Sequence, residues 1–232
     1  MLLTKPIREI RLATPRARIV RIDLEGEAFP YRAGQAVMMA GHGQEKKRPY
    51  SIADAPENAE RDDCLELLVG VDGDGQAGPA LVLESGALVD IDGPLGRFTF
   101  PDAPTERRFL FIAGGIGISP LRAMLRHALN VPHDAIGLMF SARTPGDFAY
   151  EDEWRGLAQD RRIELKLTVT REVSEPWEGR RGRFSASDLA PLVHGRETLC
   201  FVCGPPALVQ EMPQILGELG VTRDRIRIEQ WG

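Results

Sequence analysis

Five apolar residues, Phe109-Leu110-Phe111-Ile112-Ala113, run directly into Gly114-Gly115-Ile116-Gly117-Ile118-Ser119-Pro120 and then into a helical stretch, Leu121 to Leu129. A buried strand, a glycine turn and a helix in that order strongly restrict the fold. Glycine lets the backbone approach a bulky anion closely, and proline suits the first position of a helix. A helix start offers unpaired N–H groups at the positive end of the helix dipole, where a phosphate is favoured. The motif Gly115-x-Gly117-x-x-Pro120 departs from the usual dinucleotide fingerprint, since proline stands where a third glycine is expected. Read alone, the turn fits either a phosphate cradle or a ligand-free strand-to-helix connection.

The pattern that follows resolves the fold class. Strands are expected at Phe109–Ala113, Ile136–Ala142, Ile163–Thr170, Leu199–Cys203 and Arg225–Glu229, with helices at Leu121–Leu129, Glu151–Asp160, Ala186–Leu192 and Ala207–Leu219 between them. Alternation of this kind specifies a doubly wound parallel sheet, whose ligands bind beyond the carboxyl ends of the strands. Gly114–Pro120 and Gly204-Pro205-Pro206 follow two of those strands and open onto the same rim.

Residues 5–100 read differently. Arg18–Leu24 alternates in polarity, and Gly34–Met39, Pro49–Ala53, Leu65–Val71, Ala87–Ile91 and Arg97–Phe100 are further short strands separated by Gly, Asp and Pro turns. Strands this close together suggest a small antiparallel barrel. Only Pro79–Glu84 reads as helical. The polar, proline-bearing stretch 101–106 marks a boundary, giving an antiparallel β-barrel domain over 1–101 and an α/β domain over 107–232.

Composition excludes several classes. The net charge of −5 gives no bulk support for nucleic-acid binding. No stretch approaches the roughly 20 apolar residues that span a bilayer, and the first residues lack a signal-peptide core, so a cytoplasmic location is expected. Cys64, Cys200 and Cys203 form no disulfide framework. Cys200-Phe-Val-Cys203 has metal-like spacing, but there is no second pair, and strand residues three apart point to opposite faces. No metal site is expected.

The barrel half carries Arg48-Pro49-Tyr50-Ser51. With Tyr31-x-Ala33-Gly34-Gln35, Gly93-Pro94-Leu95-Gly96-Arg97-Phe98, the glycine turn, Cys203-Gly204-Pro205-Pro206 and Glu229-Gln230-Trp231, it occurs in an order that resembles the ferredoxin–NADP reductase superfamily across essentially the whole chain. The resemblance implies a flavin-binding barrel joined to a pyridine-nucleotide domain, with FAD as cofactor and NADPH as substrate, NADH being the alternative. Arg48 is a planar fork of donors suited to a flavin phosphate. Tyr50 would lay its ring on the isoalloxazine, with Pro49 beside it, and the Ser51 hydroxyl can donate or accept at flavin N5. By resemblance Cys203 lies where nicotinamide meets flavin, Trp231 covers the exposed flavin face, and Glu229 helps with the carboxamide or with protons. Ser51, Cys203, Glu229 and Trp231 are therefore the expected catalytic group. Gly114, Gly115, Gly117, Pro120, Gly204 and Pro205 would hold the nucleotide.

Two features depart from, or narrow, that pattern. Relatives bind the flavin pyrophosphate with Gly-x-x-Ser/Thr, whereas this chain has Gly75-Gln76-Ala77-Gly78, which keeps the backbone N–H and loses the hydroxyl. Thr170-Arg171 resembles the pair that holds the 2′-phosphate of NADPH, with Arg143 as the second candidate. The expected function is a flavoprotein reductase that passes hydride from NAD(P)H to FAD, with electrons going on to ferredoxin, flavodoxin or an oxygenase component. The alternatives are a reductase that releases free reduced flavin and a flavin-bearing electron-transfer subunit.

Overall fold

Two six-stranded sheets form the framework of the chain. The computed structural model describes residues 1–78, 80–171, 176–194 and 196–231. The first sheet comprises β1 (Leu2–Thr14), β2 (Ala17–Asp23), β3 (Ala36–Gly41), β4 (Arg48–Ser51), β5 (Cys64–Gly70) and β6 (Leu88–Leu95). Every pairing is antiparallel, in the order β4-β3-β6-β1-β2-β5. An antiparallel bridge between Ile52 and Leu67 joins the two outer edges and closes the sheet into a barrel. Strand β5 is apolar on both faces because both are covered: Leu65, Leu67 and Val69 fill the barrel, while Leu68 points the other way into a second core.

Two expectations for this half fail. Ala80–Glu84 is not helical, and Pro79 lies outside the described residues. Gly78 has φ +97°, and the Gly41 N–H donates to the Ala80 carbonyl at 2.7 Å, which ties the segment to β3 in a non-helical form. Arg97–Phe100 is not a strand either. Gly96 has φ +99° at the end of β6, and the Phe100 N–H donates to Ala33, which turns Phe98 and Phe100 outward. One helix, α1 (Pro56–Asp62), appears where none was expected. Proline begins it, and Asp63 stops it in the left-handed region.

The second sheet is parallel throughout, in the order β10-β9-β8-β7-β11-β12. Its strands are β7 (Arg108–Gly114), β8 (Ala135–Ala142), β9 (Glu164–Val169), β10 (Arg180–Arg181), β11 (Leu199–Gly204) and β12 (Ile226–Gln230). Helices α2 (Ile118–Ala128) and α3 (Glu151–Gln159) pack on one face, with α4 (Ala186–Leu189) and α5 (Pro206–Glu218) on the other. Cys203 and Cys200 point to opposite faces, as their spacing requires. Helix α2 starts at Ile118, so Pro120 is its third residue rather than its first. Its missing N–H costs little there, because first-turn N–H groups have no intrahelical acceptor.

The core on the α2 face crosses between the sheets. Ile19, Leu68, Phe98 and Phe100 of the N-terminal half share one buried cluster with Phe109, Phe111, Phe201 and Met124. Phe100 stacks on Phe201 with ring centroids 5.5 Å apart. Two layered sheets thus meet along a common apolar seam, and the carboxyl edges of β7 and β11 open beside the end of β4.

Candidate active site

A cleft of about 270 Å³ lies at that meeting point. Arg48, Pro49, Tyr50 and Ser51 form one wall, Ile116 and Ser119 another, and Trp231 borders it. Four consecutive residues of β4 reach it because the strand ends there and turns toward α1. The Ser51 hydroxyl is buried and has no hydrogen-bond partner among the described residues. A buried hydroxyl without a partner costs about 1–3 kcal/mol, so its natural complement is a polar ligand atom in the cleft. Tyr50 is half-buried, and burial raises its phenol pKa. A neutral aromatic face therefore borders the cavity.

The Gly75–Gly78 segment stands at one end of this wall. The Arg48 guanidinium sits so close over Gly78 that a Cβ there would lie 2.9 Å from Nη1. Arg48 donates to the Ala77 carbonyl at 3.4 Å and has no carboxylate partner among the described residues. At the other end Arg18 Nη2 would lie 3.2 Å from a Cβ on Gly75. Two guanidiniums flanking a glycine loop make a seat suited to phosphate. Arg18 escapes sequence reading because its place in an alternating strand looks like an ordinary solvated position.

On the second rim, β7 leads through a 3-10 turn, Gly115–Gly117, into α2. The glycines divide into two kinds. A Cβ on Gly117 would fall 2.4 Å from the Cys203 carbonyl oxygen, and one on Gly204 would fall 3.1 Å from Gly114 Cα. Gly114, Gly117 and Gly204 therefore let the ends of β7 and β11 touch. Gly115 is exposed with φ +54°, and nothing would lie within 4 Å of its Cβ. It alone faces open space. Pro205 caps α5, so the N-termini of α2 and α5 converge here, and their dipoles favour an anion between them.

Behind Trp231 lie Cys203 and Glu229, opposite one another in the β11–β12 register. Cys203 is wholly buried and does not line the cleft. Burial, with Glu229 nearby, pushes its thiol pKa well up, so it stays neutral. Burial also raises the Glu229 carboxyl, partly offset by the Trp231 indole N–H, which donates to Glu229 Oε2 at 2.9 Å. The Trp231 backbone N–H donates to the Gly204 carbonyl at 3.1 Å, which fixes the aromatic residue to the turn after β11. Arg143 and Arg171 lie away from the cleft, at the ends of β8 and β9. The Arg171 N–H donates to the Arg143 carbonyl, and both residues are exposed without an ionic partner among the described residues.

Sequence reading missed one whole set of residues that tie α2 to the segment after β4 beside the cleft. Ser119 Oγ donates to the Ser51 carbonyl at 3.0 Å. Arg122 Nη1 donates to the Ala53 carbonyl at 2.7 Å and to Glu66 Oε1 at 2.8 Å, and its Nε donates to Glu153 at 2.7 Å. Arg126 pairs with Asp54 at 2.6 Å and with Glu153 at 2.9 Å. A signal existed in Glu66, a carboxylate inside a strand apolar on both faces, which requires a buried cation.

Comparison with known proteins agrees with this geometry. The family model "Oxidoreductase FAD-binding domain" matches residues 6–100, and "Oxidoreductase NAD-binding domain" matches residues 111–214. Ferredoxin–NADP reductase B of Sorangium cellulosum (strain So ce56) is 36% identical over 221 residues, covering 89% of this chain and 88% of its own. NADH oxidoreductase HCR of Escherichia coli (strain K12) is 30% identical over 199 residues, covering 84% of this chain and 58% of its own. Among solved structures, the ferredoxin reductase of carbazole 1,9a-dioxygenase superposes with a TM-score of 0.83 at 24% identity, covering 100% of this chain and 70% of its own. Amycolatopsis cytochrome P450 reductase GcoB superposes with a TM-score of 0.84 at 26% identity, covering 99% and 69%.

The fold and the matched domains define a flavin-dependent NAD(P)H reductase, with FAD as cofactor and NAD(P)H as reductant. The chain belongs to the ferredoxin–NADP reductase family.

Proposed function

We propose that this protein carries electrons from NADPH through FAD to a separate redox protein, a ferredoxin, flavodoxin or oxygenase component. The observation that carries the reading is the orphaned Ser51 hydroxyl in a cleft bounded by Tyr50 and Trp231. When bound, FAD supplies the redox chemistry, accepting hydride from the nucleotide and passing on electrons. Arg48 and the Gly75–Gly78 backbone would hold its phosphates, with Arg18 as a further donor. Tyr50 would stack on the ring, and Ser51 would hold or give a proton at N5. Gly114, Gly115, Gly117 and Pro120 would shape the nucleotide pyrophosphate seat together with Gly204 and Pro205. Trp231 would shield the ring until nicotinamide enters, and Glu229, its carboxyl pKa raised by burial, would bond the carboxamide. Cys203, a neutral thiol behind them, would act through size rather than acid–base chemistry.

Arg171, with Arg143 beside it, supports NADPH over NADH, because a guanidinium without an ionic partner among the described residues complements a 2′-phosphate. The names of relatives, a ferredoxin reductase, a dioxygenase reductase and a cytochrome P450 reductase, support a protein acceptor. We place the domain division in 101–106. The second reading, release of free reduced flavin, is favoured by the exposure of Arg48 and by the absent hydroxyl at Gly78. The deciding experiment is the visible spectrum of the purified protein, before and after anaerobic addition of NADPH or NADH. Bound FAD bleached by NADPH supports the proposal. Colourless protein that is active only on added flavin replaces it with the second reading, and no reduction by either nucleotide refutes both.

A further inference from the structure

Helix α2 does two things at once. Its leading turn, Gly114–Gly117, forms the nucleotide rim. Its side chains at 119, 122 and 126 share one face, at helical spacing, and bind residues 51, 53 and 54 of the other domain. Those residues continue the strand that carries Tyr50 and Ser51. The middle rung is the most constrained. The Ala53 N–H donates to the Glu66 carbonyl at 2.8 Å, its carbonyl accepts from Arg122, and Arg122 also binds the Glu66 carboxylate. Arg122 is 4% exposed and Glu66 1% exposed, so water offers no substitute partner. The Tyr150 ring lies 4.1 Å from the guanidinium carbon and closes the other side.

We propose that Arg122 is a positioning residue for hydride transfer: through its bonds to Ala53 and Glu66 it sets the spacing between the nucleotide turn and the flavin-carrying strand. This inference rests on the function proposed above. Arg122 touches neither flavin nor nucleotide and acts through the placement of α2 against the end of β4. Reacting atoms must stand about 3–3.5 Å apart, and a misplacement of about 1 Å from a distant change costs on the order of 10²-fold in rate. Binding of each ligand by its own domain would be little affected, because neither set of phosphate contacts includes this arginine.

The test uses the FAD-loaded full-length protein and Arg122→Lys. Lysine keeps the buried charge but presents a single point donor, which cannot reach Ala53, Glu66 and Glu153 together as the guanidinium fork does. Stopped-flow reduction at saturating NADPH should slow by about 10-fold or more, within the range expected of misplacement. Dissociation constants for FAD and NADP⁺ should stay within about threefold. The long-wavelength absorbance of NADP⁺ stacked on the reduced protein should weaken in parallel. Ser119→Ala leaves no buried charge unpaired, so it will fold even where Arg122→Lys does not, and it should slow the same step by a smaller factor. A limiting rate within twofold of the parent in folded Arg122→Lys overturns the inference, and where the lysine variant is not folded the same result in Ser119→Ala does so. A loss confined to nucleotide affinity also overturns it, since that would make Arg122 a binding residue. If the parent protein itself is not reduced by either nucleotide, the proposed function fails, and this inference with it.

Discussion

Gly117→Ala separates space from conformation. Gly117 has φ −61° and ψ −8°, a backbone that alanine adopts freely. On conformational grounds alone the change should stabilise the protein, by about 0.4–1 kcal/mol. The obstacle is Cys203. The new Cβ would stand 2.4 Å from its carbonyl oxygen, 2.6 Å from its carbonyl carbon and 2.8 Å from the Gly204 nitrogen. All three are backbone atoms in a central strand, so no side chain can swing aside. The turn must open by about 0.6 Å merely to reach 3.0 Å. Overpacking of this kind costs about 1–3 kcal/mol, which outweighs the conformational gain. The same shift moves the proposed pyrophosphate seat away from β4. We expect a destabilisation of about 1–2 kcal/mol in urea unfolding. Flavin reduction at saturating NADPH should fall by about 10-fold. Gly115→Ala is the control of opposite kind: φ +54° with open space, strained by about 1–2 kcal/mol but free of clash. If Gly117→Ala matches the parent in both stability and rate, the glycine is not there for close approach, and the reading of this turn is wrong.

Other outcomes follow from single groups. Ser51→Ala removes a buried hydroxyl that lacks a partner, so the apoprotein should melt higher while FAD binds more weakly; tighter FAD binding in a fluorescence titration would contradict its role. Arg171→Ala should weaken NADPH use relative to NADH by more than about 1 kcal/mol in kcat/KM, and equal losses for both nucleotides would remove Arg171 from the 2′-phosphate site. Burial raises the Glu229 carboxyl, so the folded protein holds that proton more tightly than the unfolded chain does. The stability this confers is present at acid pH and is lost as pH rises through the folded value. Glu229→Gln should therefore gain stability over the parent at pH 8 relative to pH 4, and a Tm difference independent of pH would rule this out.

Most of the α/β half was easy to read because β7, β8 and β11 are runs of apolar residues and the turns after them carry Gly or Pro, whereas the two-residue β10, Arg180–Arg181, gives no apolar signal and was not expected. Residues 48–51 and the two glycine turns were likewise visible, since their residue types are unusual in sequence. The segment after Gly78 misled because proline and apolar residues suit a helix start, whereas the bond from Gly41 to Ala80 is long-range and invisible locally. The contacts of α2 were invisible for a related reason. Arg122 and Arg126 stand four residues apart, a spacing that an exposed charged face shares. Their partners, Glu66, Asp54 and Glu153, come from three distant segments that only the assembled structure brings together.

The shared cluster around Phe100 and Phe201 has a consequence for how such proteins change over time. A barrel and a nucleotide-binding half held by loose linkers could be exchanged among relatives by recombination at the joint. Here a cut in 101–106 would part Phe98 and Phe100 from Phe201, and would leave the buried Glu66 with Arg21 but without Arg122. A swapped half would have to bring a matching aromatic surface and a matching arginine with it. The seam thus favours inheritance of the two halves as a pair, with variation confined to the rims away from it.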